Sequence, residues 1–270
     1  MTHPIARLGR HMLAAAVLVL ALAATAAAQF PAPLAEPPAT PQFIPRYDFR
    51  LSAAYLRTDD PTRFMWDTHW GGDLDFVDYV KGRATVLIDY EAVLGDEYRP
   101  FDPNQGNYTL EASGSYRIGK TELAGVFHHV SRHLSDRPKR FAVAMNVLEM
   151  RVLRHFDFEG TTVDVKVEGG PLIQHSYVDY DWIGSADITV RHAVNTRVSG
   201  YGRLIGQLYG TDRAIANRGT QRGGRFEAGV RLRGSGGAID LFAGYERVID
   251  ADQIDRLARQ WPFAGFRLVR

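Results

Sequence analysis

The chain has 270 residues, no cysteine and a formal net charge of +1, with 32 Lys and Arg against 31 Asp and Glu. A protein that binds nucleic acid usually carries a basic excess on one face, so this balance argues against nucleic acid as a partner. The lack of cysteine excludes a small scaffold held by disulfides.

Residues 1–28 are typical of a secretory signal peptide. Arg7 and Arg10 precede an apolar run from Met12 to Ala28, which ends in the small residues that a cleavage site requires. The alternative is a membrane anchor, because a run of about 17 residues reaches the lower limit for spanning a bilayer. Beyond Ala28 no apolar run of this length recurs, so the sequence predicts export, cleavage and no helical span in the mature protein.

Residues 29–45 form the next segment, which contains six prolines. Proline favours an extended, polyproline-like chain without a core of its own. We therefore expect a linker over 29–45 and a single β-barrel domain over 46–270.

Alternation of apolar and polar residues dominates this domain. Between Tyr108 and Ile118 one parity is apolar or small and the other is polar or charged. The pattern returns at 83–91, 163–168, 181–191, 197–204, 226–233 and 239–246. Turn-forming residues separate these runs, among them Gly119, Gly160, Asn195 and Gly234.

The runs add up to about twelve strands of about ten residues, the number and length typical of a single-chain bacterial membrane barrel. A soluble β-sandwich also alternates, but its polar face is rarely charged on nearly every strand. We therefore predict an all-β fold, a closed antiparallel transmembrane β-barrel with a charged lumen. Such a chain is expected in the bacterial outer membrane after signal-peptide cleavage, with membrane lipids as its partners.

Two charged groups bear on what the barrel could bind. Acidic strings that resemble loops, at Asp73, Asp75 and Asp78 and again at 96–97 and 102–104, could hold a hard cation or simply be solvated. Arginines on the inferred lumen face (Arg197, Arg203, Arg231 and Arg233) share it with Glu227, Asp240 and Glu246. They could favour anions in a narrow channel, or pair with the acids and plug it.

The densest group of reactive side chains lies between Phe127 and Asp136. Strand parity places His129, Ser131 and His133 on one face with Phe127, which makes that face the lipid-facing one, and it places His128 on the other. A serine hydroxyl two residues from an imidazole on the same face lies within reach of a base that could activate it.

His129-Val130-Ser131 resembles the His-x-Ser motif of the outer-membrane phospholipase A family. The longer string His129-x-Ser131-x-His133-Leu134-x-Asp136 is similar to a motif in a family of uncharacterised bacterial outer-membrane proteins, which brings no established activity. The phospholipase resemblance implies a twelve-stranded barrel whose serine, histidine and asparagine lie on the outer wall. Asn146 is the candidate asparagine on the following strand.

On this resemblance Ser131 would be the nucleophile, His129 the general base and Asn146 the residue that orients the imidazole, acting on an acyl ester of a membrane lipid. The resemblance also implies calcium as a cofactor. The sequence departs from the family at Arg132, where the family has asparagine, and it has no clear counterpart of the calcium-binding serine between Arg137 and Phe141. We otherwise expect no cofactor.

Two alternatives concern the same segment. It could form a polar girdle in which Arg132, Arg137, Lys139 and Arg140 pair with lipid phosphates. Metal ligation by His128, His129 and His133 is disfavoured, because His129 and His133 would lie about 13 Å apart on an extended strand of about 3.3 Å per residue. The sequence thus leaves two functions, a non-catalytic structural barrel or narrow channel and a lipid acyl hydrolase. It leaves the oligomeric state open.

Overall fold

The computed structural model describes residues 36–134 and 142–270. The predicted signal peptide and Arg137, Lys139 and Arg140 lie outside these residues. Within them the chain forms twelve strands: β1 (Gln42–Leu56), β2 (Trp66–Asp78), β3 (Arg83–Gly95), β4 (Asp102–Ile118), β5 (Thr121–Leu134), β6 (Val143–Phe158), β7 (Thr161–Ser176), β8 (Tyr180–Ala193), β9 (Val198–Thr211), β10 (Gln221–Arg233), β11 (Ala238–Val248) and β12 (Arg259–Val269).

The strands close into one antiparallel barrel, as the sequence predicts. Each strand pairs with its neighbours in the chain, and β1 pairs with β12 from Arg50 opposite Val269 to Leu56 opposite Phe263. Closure leaves no free sheet edge, so the backbone hydrogen bonds are satisfied without water. Strand β1 begins at Gln42, inside the segment predicted as a linker.

The barrel is apolar outside and charged inside, the reverse of a soluble protein. Met150, Ile88 and Leu241 are at least half exposed on the outer wall, whereas Lys166 and Glu227 are fully buried in the lumen. Buried charges persist only when they are paired, and large exposed apolar surfaces require an apolar surrounding. This arrangement fits a barrel surrounded by lipid. No helix in the described part of the chain has the length and apolarity to cross a membrane.

The two ends of the barrel differ. The connections on the side of both termini are short, and two of them, Gly119-Lys120 and Glu159-Gly160, have only two residues. Gly119 and Gly160 adopt φ values of 58° and 71°, which L side chains disfavour, so glycine suits both turns. Longer connections, such as 57–65, 212–220 and 249–258, lie at the opposite end. In outer-membrane barrels the long loops are extracellular.

The loop 249–258 folds into the lumen at this long-loop end. Ile249 and Ala251 are buried there in apolar clusters with side chains of the strands. Gln105 Nε2 on β4 donates to the Ala251 carbonyl at 2.7 Å, and Arg132 Nη1 on β5 donates to the Asp250 carbonyl at 2.7 Å. The loop therefore contacts the lumen wall within the barrel mouth instead of extending outward.

Arg218 ties this loop to the rest of the long-loop end. Its guanidinium lies between two carboxylates, with Nη2 2.6 Å from Asp179 Oδ1 and Nη1 2.7 Å from Asp250 Oδ1. Partial burial alone would raise the pKa of Asp179, but the hydrogen bonds and charge of Arg218 outweigh it and lower that pKa. One arginine thus links the connections 177–179, 212–220 and 249–258.

Candidate functional site

The candidate residues lie on β5 and β6 near the long-loop end. Odd-numbered residues of β5 and even-numbered residues of β6 face outward, as the exposure of Phe127 and Leu148 shows. His129, Ser131 and Asn146 are consequently all on the outer wall, each half-buried. All three side chains are therefore partly accessible from outside the barrel.

Strand register brings His129 and Asn146 together. They are directly opposite each other in the β5–β6 pairing, and His129 Nδ1 lies 2.6 Å from Asn146 Oδ1. An amide oxygen only accepts hydrogen bonds, so this contact requires the proton of a neutral imidazole to sit on Nδ1. Nε2 of His129 is then left with a lone pair that can accept a proton.

Gln174 on β7 fixes the orientation of the Asn146 amide. Asn146 Nδ2 donates to Gln174 Oε1 at 2.9 Å, which leaves Oδ1 pointing at His129. The β6–β7 register slips between Asn146 and Val147, and this irregularity sets Gln174 opposite Asn146. Gln174, Asn146 and His129 therefore form a polar row across three strands of the outer wall.

Ser131 has a different partner from the one that the sequence suggests. Its hydroxyl lies 2.9 Å from His133 Nε2, and among the described residues it bonds to His133 instead of His129. His133 also packs edge-on against Tyr108 of β4, with ring centroids 5.5 Å apart. The structure thus joins His129 to Asn146 and Ser131 to His133, as two adjacent pairs on one face.

An aromatic row continues from this site around the barrel. Trp70, Tyr90 and Tyr108 lie on consecutive strands β2, β3 and β4, with neighbouring ring centroids 5.5 and 4.9 Å apart. Amphipathic rings concentrate where a barrel crosses the lipid headgroup level. Tyr108 is opposite Ser131 in the strand register, so the row lies at the same level as the polar side chains of β5.

The lumen side of β5 bears on both alternatives for this segment. Arg132 does not join a phosphate-binding girdle, because it points inward and binds carbonyl groups of loop 249–258. His128 also points inward, with Nδ1 3.3 Å from Glu149 Oε2. Strand alternation therefore places His128 on the opposite side of the wall from His129 and His133, and the three cannot share one metal ion.

The acidic strings also differ from the expectation of loops. Asp73 and Asp75 lie within β2 and face the lumen, where Asp75 pairs with Arg83 at 3.1 Å and Asp73 with Arg50 at 3.0 Å. These carboxylates already have cationic partners, so they form part of the lumen ion-pair network. Of the second string, residues 96–97 lie in the connection between β3 and β4, and 102–104 lie within β4.

Acids and bases in the lumen pair across strands. Arg203 binds Asp187 at 2.7 Å, Arg231 binds Asp240 at 2.6 Å, and Arg267 binds Glu227 at 3.0 Å. Arg197 instead lies in the short turn between β8 and β9, away from this network. Together with loop 249–258, these pairs fill much of the interior, and cavities of about 170, 370 and 50 Å³ lie among them.

A scan against protein-family models and a search of curated proteins each gave no match. Solved structures of outer-membrane barrels do match. Outer membrane phospholipase A from Escherichia coli, as a variant named for its N-to-A active-site substitution, has 10% identity and a TM-score of 0.50 over 84% of this chain and 91% of its own. The Salmonella typhi outer membrane phospholipase dimer with bound calcium has 10% identity and a TM-score of 0.50, over 83% of this chain and 89% of its own. Omp33 of Acinetobacter baumannii has 9% identity and a TM-score of 0.39, over 83% of this chain and 96% of its own.

These likenesses show the fold and leave the two motif resemblances as predictions. What the sequence reasoning missed is Gln174 and the pairing of Ser131 with His133. Outward parity of β7 would have suggested an odd-numbered residue opposite Asn146, and a register slip cannot be deduced from alternation. The choice between two histidines that flank one serine depends on side-chain rotamers, which the alternation also leaves open.

Proposed function

We propose that this chain is a lipid acyl hydrolase of the bacterial outer membrane, with Ser131, His129 and Asn146 as its catalytic group. The observation that carries the proposal is the hydrogen bond between His129 Nδ1 and Asn146 Oδ1, 2.6 Å long, on the lipid-facing wall beside Ser131. A buried-lumen function gives no reason for an oriented imidazole on the outside of a barrel. The name of the phospholipase variant, which describes an asparagine-to-alanine change in its active site, supports a role for Asn146.

In the proposed reaction Ser131 Oγ attacks the carbonyl carbon of a lipid ester, and His129 Nε2 takes the hydroxyl proton. The imidazolium then gives that proton to the departing alcohol oxygen, which leaves an acyl-serine and a lysolipid. Water attacks the acyl-serine with His129 again as base, and a fatty acid is released. Asn146 holds the imidazole in the required tautomer throughout.

For this reaction the Ser131 hydroxyl has to turn from His133 towards His129. Both imidazoles lie two residues from the serine on the same strand face, so rotation about the Ser131 side-chain bond is the change needed. Catalytic hydrogen bonds are often loose without substrate and tighten when it binds. His133 would then be released towards the headgroup region.

Calcium is a separate element of the proposal. It follows from the phospholipase resemblance, and the Salmonella typhi neighbour is described with bound calcium. The segment that would supply a counterpart, 137–141, lies outside the described residues. Assays with and without a chelator therefore form one arm of the experiment.

The test is phospholipid hydrolysis by the full chain refolded in detergent, with Ser131→Ala as the catalytic variant and Ser113→Ala on β4 as a matched serine control. We expect release of fatty acid by the parent and Ser113→Ala proteins and none by Ser131→Ala. Heat-modifiable migration on gels verifies that each variant has folded. Equal release by Ser131→Ala would remove Ser131 and overturn the proposal. No release by any protein, with or without calcium, would leave a non-catalytic structural barrel or narrow channel as the function.

A further inference from the structure

Inside the barrel, three potential metal ligands converge on adjacent strands. Asp67 and His69 on β2 and Glu91 on β3 each offer a ligand atom, and the three atoms all lie within 4.8 Å of one another. His69 and Glu91 are opposite each other in the strand register, and Asp67 lies one inward position further along β2. The three side chains all point into the lumen, on the other side of the wall from the proposed hydrolase site.

The surroundings of His69 are those of a metal-binding imidazole. Asp89 Oδ2 lies 2.8 Å from His69 Nδ1, which is the carboxylate contact that directs the lone pair of Nε2 towards a metal ion. Gly71 lies opposite Asp89, and a Cβ at Gly71 would be 3.0 Å from Asp89 Oδ1. The absence of a side chain at Gly71 thus leaves room for the Asp89 carboxylate beside the imidazole.

A hydrogen bond also orients the Glu91 carboxylate. Asn107 Nδ2 on β4 donates to Glu91 Oε2 at 2.7 Å, which orients the carboxylate and leaves Glu91 Oε1 for another partner. Carboxylate ligands of metal ions are commonly held by such a second hydrogen bond. Two of the three ligands therefore have a preformed outer shell, on two different strands.

The third ligand has an unsatisfied atom. Asp67 is 8% exposed, and its Oδ1 is buried without a hydrogen-bond partner among the described residues. Both carboxylate oxygens of Asp67 face His69 Nε2, the atom that the Asp89 contact leaves for a metal. Oδ1 lies 3.2 Å and Oδ2 3.3 Å from it. Buried oxygen atoms of this kind require a hydrogen bond, water or an ion.

Charge also favours a cation. Asp67, Asp89 and Glu91 surround one imidazole, and Arg225 approaches Asp67 only to 4.0 Å. Arg225 is itself paired with Glu227 at 3.0 Å and Glu246 at 2.8 Å, so little of its charge is available to offset Asp67. A divalent ion would balance the carboxylates at this point.

We propose that the lumen binds a divalent first-row transition-metal ion through Asp67, His69 and Glu91. Imidazole nitrogen with carboxylate oxygen suits zinc and its neighbours more than calcium or magnesium, which prefer oxygen alone. Bonds of about 2.0–2.2 Å allow ligand atoms to be at most about 4.4 Å apart, so a small side-chain adjustment closes the site. Water fills the remaining positions.

Asp67, His69 and Glu91 line a small cavity of about 50 Å³, and His69 also lines two larger lumen cavities. His69 lines the cavity of about 170 Å³ towards loop 249–258 and the cavity of about 370 Å³ towards the short turns. An ion could therefore enter through water on either side and exchange. Because His69 lines both larger cavities, the cluster lies between them.

The test is calorimetric titration of the refolded full chain with Zn²⁺ after chelator treatment, with Co²⁺ absorption as a second readout. We expect one Zn²⁺ per chain. Asp89→Asn should lower the affinity for Zn²⁺ by about 10- to 100-fold, the usual effect of removing a hydrogen-bond partner of a metal ligand. His69→Gln should lower it by at least as much. His128→Gln, which alters another lumen histidine beside carboxylates, should leave the affinity unchanged.

Glu91→Gln provides an independent check, because it keeps an oxygen for Asn107 and removes the ligand charge. This substitution should weaken the binding of Zn²⁺ and remove the absorption spectrum of bound Co²⁺. The heat-modifiable gel shift of the folded barrel should persist. Zn²⁺ binding that is equal in the parent and His69→Gln proteins would overturn the proposal. So would absence of binding to the folded parent, which would make the cluster an ion pair between a protonated His69 and its acids.

Discussion

His129 and Asn146 are opposite each other on β5 and β6, and their side chains are joined by a 2.6 Å hydrogen bond on the outer wall of the barrel. The sequence separates them by the whole connection between the two strands. Antiparallel register brings them into contact, and the proposed chemistry depends on that contact.

Asn146→Ala should lower kcat for phospholipid hydrolysis by at least about tenfold, because general-base catalysis contributes about 10²–10⁴-fold and requires an oriented imidazole. Asn146→Asp should keep more activity than Asn146→Ala, since a carboxylate also accepts from His129 Nδ1. Initial rates over a range of lipid concentrations separate kcat from KM. A rate for Asn146→Ala equal to the parent rate would remove Asn146 from the catalytic group.

The two histidines that flank Ser131 can be distinguished by the same assay. His129→Gln should lower the rate by about 10²–10⁴-fold, the range for loss of a general base, whereas His133→Gln should keep most of it. The acidic limb of the pH–rate profile should persist in His133→Gln. The reverse pattern would assign the base to His133, whose Nε2 is 2.9 Å from the Ser131 hydroxyl.

Glu168→Gln should destabilise the barrel by about 3–5 kcal/mol, because it removes the buried negative charge that two buried cations share. Glu168 accepts from Arg151 and from Lys166, which is fully buried. The free energy of unfolding, measured by denaturant titration in detergent or lipid, reports the change. Asp157→Asn is the control, since the Asp157 side chain is 61% exposed and its loss should change stability by less than about 0.5 kcal/mol.

Protonation of Asp179 at acidic pH should destabilise the packing of the long-loop end. Its pKa in the folded chain is lowered below the ordinary 3.8, so its pairing with Arg218 stabilises the loops fully above about pH 4. That contribution is lost as the pH falls through the lowered pKa. Hydrogen exchange of loop 249–258 should therefore show more opening events near pH 2.5 than at pH 6, after correction for intrinsic rates. The Asp179→Asn protein should already open more at pH 6 and respond less to acid.

Trp70 and Trp261 offer a matched test of which surface faces lipid. Trp70 is 55% exposed on the outer wall, whereas Trp261 is 3% exposed in the lumen and donates to Glu246 Oε1 at 2.6 Å. Brominated lipids quench tryptophan fluorescence on contact. We expect Trp70→Phe to reduce the quenchable emission and Trp261→Phe to leave it unchanged. An equal effect of the two substitutions would contradict a lipid-facing outer wall.

The sequence by itself determined the barrel and its two faces. Alternation such as that between Tyr108 and Ile118 fixes which residues share a side of a strand, because side chains of a strand point alternately to opposite faces. It placed Ser131 and His129 on one face and His128 on the other. Charges on one parity of nearly every strand indicated a polar lumen, since lipid cannot accommodate them.

Only the tertiary structure decided which of these residues meet. The slip between Asn146 and Val147 sets Gln174 opposite Asn146, and such irregularities leave no mark in the alternation. The partner of Ser131 depends on rotamers, and the convergence of His69 with Glu91 depends on the pairing of β2 with β3. Parity is a property of each strand alone, whereas register is a property of two strands together. The chemistry proposed for the outer face and for the lumen of this barrel depends on register.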